Sequence, residues 1–137
     1  MVTYLRSIPL PPNRHLAPDG QLTDAQERGR RVFYRTRTNE GREIPSANRC
    51  DTCHPAETHY TSKTSTDVGT ATAYDTSGLF DTPQLDRVYQ DAPYLHNGEA
   101  LTLEEIWTVF NNNDTHGVTS DMSKDQLNDL IEYLKTL

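Results

Sequence analysis

The sequence predicts an all-α fold of about four helices joined by long loops. Three observations predict it. Capping boxes stand at Thr23–Gln26, Thr102–Glu105 and Ser123–Gln126, each a hydroxyl followed three residues later by Glu or Gln. Behind each box, apolar residues recur at helical spacing. No segment reads as a strand.

Residues 1–22 read as an extended, proline-rich arm or linker, in which Pro9, Pro11, Pro12 and Pro18 exclude regular helix. Residues 23–137 read as the domain. The helix from Thr23 places Ala25, Gly29, Val32 and Phe33 on one face. Gly29 costs helix propensity, so it marks either a close helix crossing or a tolerated glycine. Residues 37–49 form a polar loop. From Thr58 to Ser77 half of the residues are Ser or Thr, which predicts a long surface loop anchored by Tyr60 and Tyr74. Thr82-Pro83 opens a short helix through Tyr89, with proline at its first position and Leu85, Val88 and Tyr89 inward. Asp91–Gly98 is a turn-rich loop. The helix after Thr102 turns Leu103, Ile106, Trp107 and Phe110 inward, and Asn111–Asp114 break it. The last helix carries Leu127, Leu130, Ile131 and Leu134 at i, i+3, i+4 and i+7. The aspartates, threonines and asparagines mostly serve caps and turns, and none is assigned catalysis.

A chain of 137 residues is one domain long. With 34% hydrophobic residues and a mean hydropathy of -0.79 its core is thin, which calls for a metal, a disulfide or a cofactor as a second source of stability. A net charge of -7 gives no electrostatic reason to bind nucleic acid or an anionic membrane. No apolar run approaches the length of a transmembrane helix. Met1–Pro12 lacks the basic and apolar sections of a secretory signal, so the expectation is a cytosolic protein or a mature or excised piece.

The two cysteines stand in Cys50-Asp51-Thr52-Cys53-His54, the pattern of c-type haem attachment. Two thiols one helical turn apart can add to the two vinyl groups of one haem, and the next residue brings its imidazole to the iron. Three other readings compete less well. A thioredoxin-like motif wants a βαβ context. A disulfide hairpin leaves His54 unexplained. A zinc site needs two more ligands, and His59 is the only nearby candidate. One covalent haem c also supplies the apolar body the side chains lack, which predicts a poorly folded haem-free chain. It places the protein outside the cytoplasm, in the periplasm or extracellularly, with the chain starting downstream of a signal it lacks. The Ser/Thr-rich loop then covers the haem edge.

Asp81-Thr82-Pro83-Gln84-Leu85-Asp86-Arg87-Val88, Ala92-Pro93-Tyr94-Leu95-His96-Asn97-Gly98 and Leu103-Glu104-Glu105-Ile106 resemble the C-terminal haem domain of bacterial di-haem cytochrome c peroxidases and MauG-type proteins. So do the helix Gln26–Phe33 and the last helix, Leu127–Leu137. The resemblance covers roughly residues 20–137. It implies a cytochrome c-like fold, with the first and last helices crossing near Gly29, in a periplasmic or surface redox protein. Two departures stand out. The place of the peroxidases' distal methionine falls on Phe110, which cannot ligate iron, and the MauG-type tyrosine is absent there too. With one haem motif, the two-haem peroxidase reaction cannot run in this chain alone. The family's calcium lies between two domains; Asp91 offers an oxygen, but calcium is expected only with the missing domain. Tyr4–Ile8 echoes Tyr133–Leu137, either by chance or because the chain opens with the tail of a preceding cytochrome domain.

His54 supplies the near side of the iron. For the far side the candidates are His15, His59, His96, His116 and Met122. His59 reads as loop or surface, and His15 as solvated in the arm. His96 matches the family's loop histidine, which lies near the haem without ligating it; a hydrogen bond that holds the loop is its plainer role. His116 lies beside Gly117, in the right region for a ligand. Met122 precedes the cap Ser123 and fits a hydrophobic staple on Leu127. Three outcomes stay open: His116, the weaker candidate Met122, or no protein ligand. A second ligand leaves single-electron transfer, to or from a redox partner protein or a second haem domain, as the function. An open position makes a peroxidase-like enzyme acting on hydrogen peroxide or another small oxidant, with His96 or His116 moving the proton. Electron transfer is the preferred reading.

Overall fold

A computed structural model describes residues 7–8 and 11–137. Tyr4–Arg6 of the echo, and the arm at residues 1–6, 9 and 10, lie outside the described residues.

Four α-helices form among the described residues: α1 Asp24–Phe33, α2 Cys50–Cys53, α3 Leu103–Thr108 and α4 Lys124–Leu134. The capping boxes at Thr23, Thr102 and Ser123 are all made, with side chain and backbone hydrogen-bonded reciprocally. No helix is long and apolar enough to cross a membrane.

α1 and α4 cross at Gly29. A Cβ there would sit 1.9 Å from the Asp129 carbonyl oxygen and 2.8 Å from the Tyr133 Cβ, so no side chain fits. The glycine therefore marks a close crossing rather than a tolerated substitution. A bidentate pair from Arg28 to Asp129, at 2.7 and 2.8 Å, fixes the register beside it. The core at the crossing joins Val32, Phe33, Leu130, Tyr133 and Leu134 to Val88, Ala100, Leu103 and Ile106. Tyr133 belongs to this core although the leucine spacing alone did not select it.

Several expectations are corrected. The fold is not purely α-helical, because Ser65–Thr66 (β1) pairs antiparallel with Phe80–Asp81 (β2). The helix expected over Thr82–Tyr89 is replaced by a single 3₁₀ turn, Val88–Gln90. The reason is local. The Thr82 backbone N–H and hydroxyl both donate to the Thr64 carbonyl, at 3.0 and 2.8 Å, which commits Thr82 to the strand pair instead of to a cap. Arg87 then adopts φ 63°, outside helical space. Of the two tyrosines expected to anchor the long loop, Tyr60 packs on the core but Tyr74 is 97% exposed. On α1, Gln26 is buried and Ala25 only half-buried. Gln26 accepts from the Thr23 N–H at 2.8 Å and donates to the His15 carbonyl at 2.8 Å, pinning residues of the arm to the helix. Asn13 donates to the Lys135 carbonyl at 2.9 Å, tying the arm to the end of α4 as well.

Candidate haem site

α2 is one turn, enough to set Cys50 and Cys53 on one side of the backbone. Both thiols are free. Burial pushes the Cys50 thiol up to about 11, so at neutral pH it is protonated and a poor nucleophile. His54 ends the turn and is 9% exposed. Its Nδ1 lies 2.7 Å from the Tyr60 carbonyl oxygen. A carbonyl only accepts, so Nδ1 carries the proton and Nε2 keeps its lone pair for a metal. Burial holds His54 below the ordinary histidine value, against the opposing pull of the Tyr60 and Pro83 carbonyls. Two successive left-handed residues, His59 at φ 60° and Tyr60 at φ 58°, turn the Tyr60 carbonyl toward His54. That conformation is costly for non-glycine residues and persists only where the surroundings impose it.

His116 sits on the loop between α3 and α4. Its Nδ1 is shielded from solvent and has no hydrogen-bond partner among the described residues. Burial first, and then the nearby His54, pull its pKa down to about 4, so the ring is neutral and able to bind a metal. Trp107 lies beside it, ring centroids 6.4 Å apart. The loop is carried against the Cys-x-x-Cys turn: the Val118 N–H donates to the Asn48 carbonyl at 3.3 Å, and a Cβ on Gly117 would lie 3.8 Å from the Cys50 sulfur. Thus the fold brings together Cys50, His54 and His116, which are far apart in sequence.

The other candidates lie elsewhere. Met122 packs on the helical core and lines a cavity of about 350 Å³ with Trp107, Thr119 and Leu127. Phe110 also packs on the core. His59 is exposed and paired with Asp86 at 2.6 Å. His15 sets its ring edge-on to Tyr89 at 4.8 Å. His96 stacks on Phe80, 3.6 Å between centroids, with Nδ1 3.3 Å from the Thr70 hydroxyl and Nε2 3.2 Å from the Asp75 carboxylate. Among the described residues, no three His, Cys, Asp or Glu side chains gather as a metal-ion site.

Residues read only as turn formers also support the site. Asn111, Asp114 and Asp121 organise the His116 loop, and Arg35 pairs with Asp121 at 2.6 Å. The Asn/Asp/Thr/Gly run over 111–121 was their only signal in the sequence. Tyr34, Tyr60 and Tyr133 gather around Phe33, with burial raising the pKa of Tyr34 and Tyr133. Between Cys50 and Cys53, Asp51 also keeps one shielded oxygen, Oδ1, without a partner among the described residues.

The residues fit a covalently attached haem. Two free thiols stand one turn apart. One imidazole is oriented by the hydrogen bond of its Nδ1, and a second, half-buried imidazole holds a shielded nitrogen that nothing among the described residues satisfies. A buried polar atom without a partner costs roughly 1–3 kcal/mol, which a bound group would offset.

The fold is similar to that of a hydrazine synthase chain and of a MauG-like protein. No protein-family model matches the chain. It is similar to the gamma subunit of hydrazine synthase from Kuenenia stuttgartiensis, 28% identical over 178 aligned positions that take in all of this chain and 48% of the relative. A solved structure of Kuenenia stuttgartiensis hydrazine synthase under xenon superposes with a TM-score of 0.74 at 27% identity, covering 99% of this chain and 53% of the other. A MauG-like protein associated with microbial copper homeostasis shares the fold, with a TM-score of 0.62 at 19% identity over 90% of this chain and 49% of the other. The chain spans about half the length of the relatives it matches.

Proposed function

We propose that the chain is a c-type cytochrome module that carries single electrons through one haem. Cys50 and Cys53 would hold the haem by thioether bonds, and His54 and His116 would supply imidazole ligands to its iron. The observation that carries this reading is His116: a half-buried, neutral imidazole whose shielded Nδ1 has no partner among the described residues, close enough to His54 for the two to influence each other's charge. Met122 is committed to the core and its neighbouring cavity, which favours the histidine.

Bound there, the haem supplies the ferric/ferrous couple. The chain's residues do the rest. The Tyr60 carbonyl fixes the orientation of His54 and raises its basicity as a ligand. Two histidine ligands set a lower potential than a histidine–methionine pair. Similarity to a protein named as a subunit of hydrazine synthase supports a partner protein or second haem domain as electron donor or acceptor. C-type attachment supports a location outside the cytoplasm.

Optical spectra of the haem-loaded chain test the reading. A low-spin ferric spectrum, with a reduced form unmoved by CO, is expected. A high-spin ferric form that binds CO on reduction replaces it with the second reading, a peroxidase-like enzyme. One observation supports that alternative: His96 keeps a carboxylate partner, Asp75, at 3.2 Å, the kind of pairing that lets an imidazole move a proton.

A further inference from the structure

The loop that carries His116 holds three left-handed residues within five: Asn113 at φ 63°, Asp114 at φ 56° and Gly117 at φ 80°. Only the last is a glycine. Such conformations persist where neighbouring contacts over-determine them, and they concentrate at functional positions. Here the contacts are plain. The Asp114 carboxylate accepts from the Thr119 N–H, the Ser120 N–H and the Ser120 hydroxyl at 2.8, 2.9 and 2.6 Å. Arg35 donates to the Val118 carbonyl at 2.7 Å. One residue grips the backbone on both sides of the histidine. The Asn111 Oδ1 accepts from the His116 N–H at 2.7 Å, and its Nδ2 donates to the Gly117 carbonyl at 2.9 Å and the Thr119 hydroxyl at 2.8 Å.

We propose that Asn111 is a positioning residue for the iron ligand, its carboxamide clamping the backbone before and after His116 so that the imidazole is held toward the haem in both oxidation states. The proposal rests on the reading of His116 as that ligand. Asn111 touches neither the iron nor His54; it acts through the loop. Its carboxamide supplies both the acceptor and the donors this geometry requires, which aspartate, alanine and leucine do not. A ligand fixed in this way has no freedom to leave on reduction, and the reduced iron stays closed to small gases.

The test uses the haem-loaded chain, with ferric optical and EPR spectra and the rate of CO binding to the reduced form. His116→Ala is the reference: it should turn a low-spin wild type high-spin. Asn111→Ala should give a mixture of spin states and CO binding about tenfold faster, the equivalent of losing about one hydrogen bond's worth of ligand restraint. Added imidazole should restore the low-spin spectrum. Asn111→Asp, which keeps the acceptor for the His116 N–H and loses the donors, should fall between. Ser120→Ala removes a hydrogen bond from the same loop without touching the clamp, and should lower Tm while leaving both spectra unchanged. A wild-type spectrum and CO rate in Asn111→Ala, with His116→Ala high-spin, overturns the positioning role alone. Equal spectral changes in Asn111→Ala and Ser120→Ala overturn it in favour of general loop stability. An unchanged spectrum in His116→Ala removes the ligand assignment, and the clamp with it. Should Asn111→Ala not fold, Asn111→Asp decides, and a wild-type CO rate there overturns the proposal.

Discussion

Individual side chains set the electrostatics around the candidate site. Arg35 and Asp121 pair at 2.6 Å with side chains 13% and 5% exposed, between the end of α1 and the loop that carries His116. Breaking one side of a buried pair leaves the other charge uncompensated. Asp121→Asn should therefore cost about 3 kcal/mol in urea unfolding. The pair also has a pH signature. Burial pushes the Asp121 carboxyl upward, but hydrogen bonds from Arg35 and the Asn39 N–H outweigh it and hold the carboxyl below its ordinary value of 3.8. A lowered acid binds fewer protons in the folded state than in the unfolded one. Its stabilisation is therefore complete above 3.8 and is lost as pH falls through the depressed value. Acid-unfolding curves of wild type and Asp121→Asn should converge at low pH. Near His54, the carbonyl of Tyr60 is the orienting group, so Tyr60→Phe should leave the haem's ligation unchanged, as read by its ferric spectrum. A shifted spectrum would assign the Tyr60 hydroxyl a part that its backbone alone does not explain.

Helices decide how much of the domain holds together. At the α1–α4 crossing, a Cβ on Gly29 would lie 1.9 Å from a backbone oxygen, and backbone cannot move aside without parting the helices. Gly29→Ala should destabilise by about 3 kcal/mol, the upper end of overpacking costs, and lower Tm by roughly 10 °C. The capping boxes are cheaper to lose. Thr102→Ala should cost about 1 kcal/mol, since its hydroxyl accepts from the Glu105 N–H while the Glu105 carboxylate accepts from the Thr102 N–H. A Tm fall larger than that of Gly29→Ala would reverse this ranking. These elements were legible in the sequence because capping and close packing are local: a hydroxyl three residues before Glu or Gln, and a glycine amid helix formers. The segment after Thr82 was not. Its proline and hydroxyl fit a helix start equally well, and the choice was made by Thr64, eighteen residues away, whose carbonyl takes both donors of Thr82.

Across the whole molecule, a core of few large apolar side chains is spread between the α1–α4 crossing and α3. A covalent haem would add apolar surface to it, so the haem-free variant Cys50→Ser/Cys53→Ser should unfold at markedly lower urea concentration than the loaded chain. Equal midpoints would mean that the side chains alone sustain the fold. The sequence by itself determined the Cys-x-x-Cys-His spacing, the three capped helices and the glycine where the first and last of them cross. Each rests on residues within a few positions of one another, where spacing dictates geometry. Only the tertiary structure decided which distant residues meet. Phe80 and Thr66 pair across a long loop, Tyr74 turns out to solvent, and His116 is carried to the Cys-x-x-Cys-His turn by the grip of Asn111, Asn48 and Arg35. The physical reason is that a ligand's identity depends on burial and on which polar atoms go unpartnered. Both are properties of the packed chain, and neither is written in the distance along it.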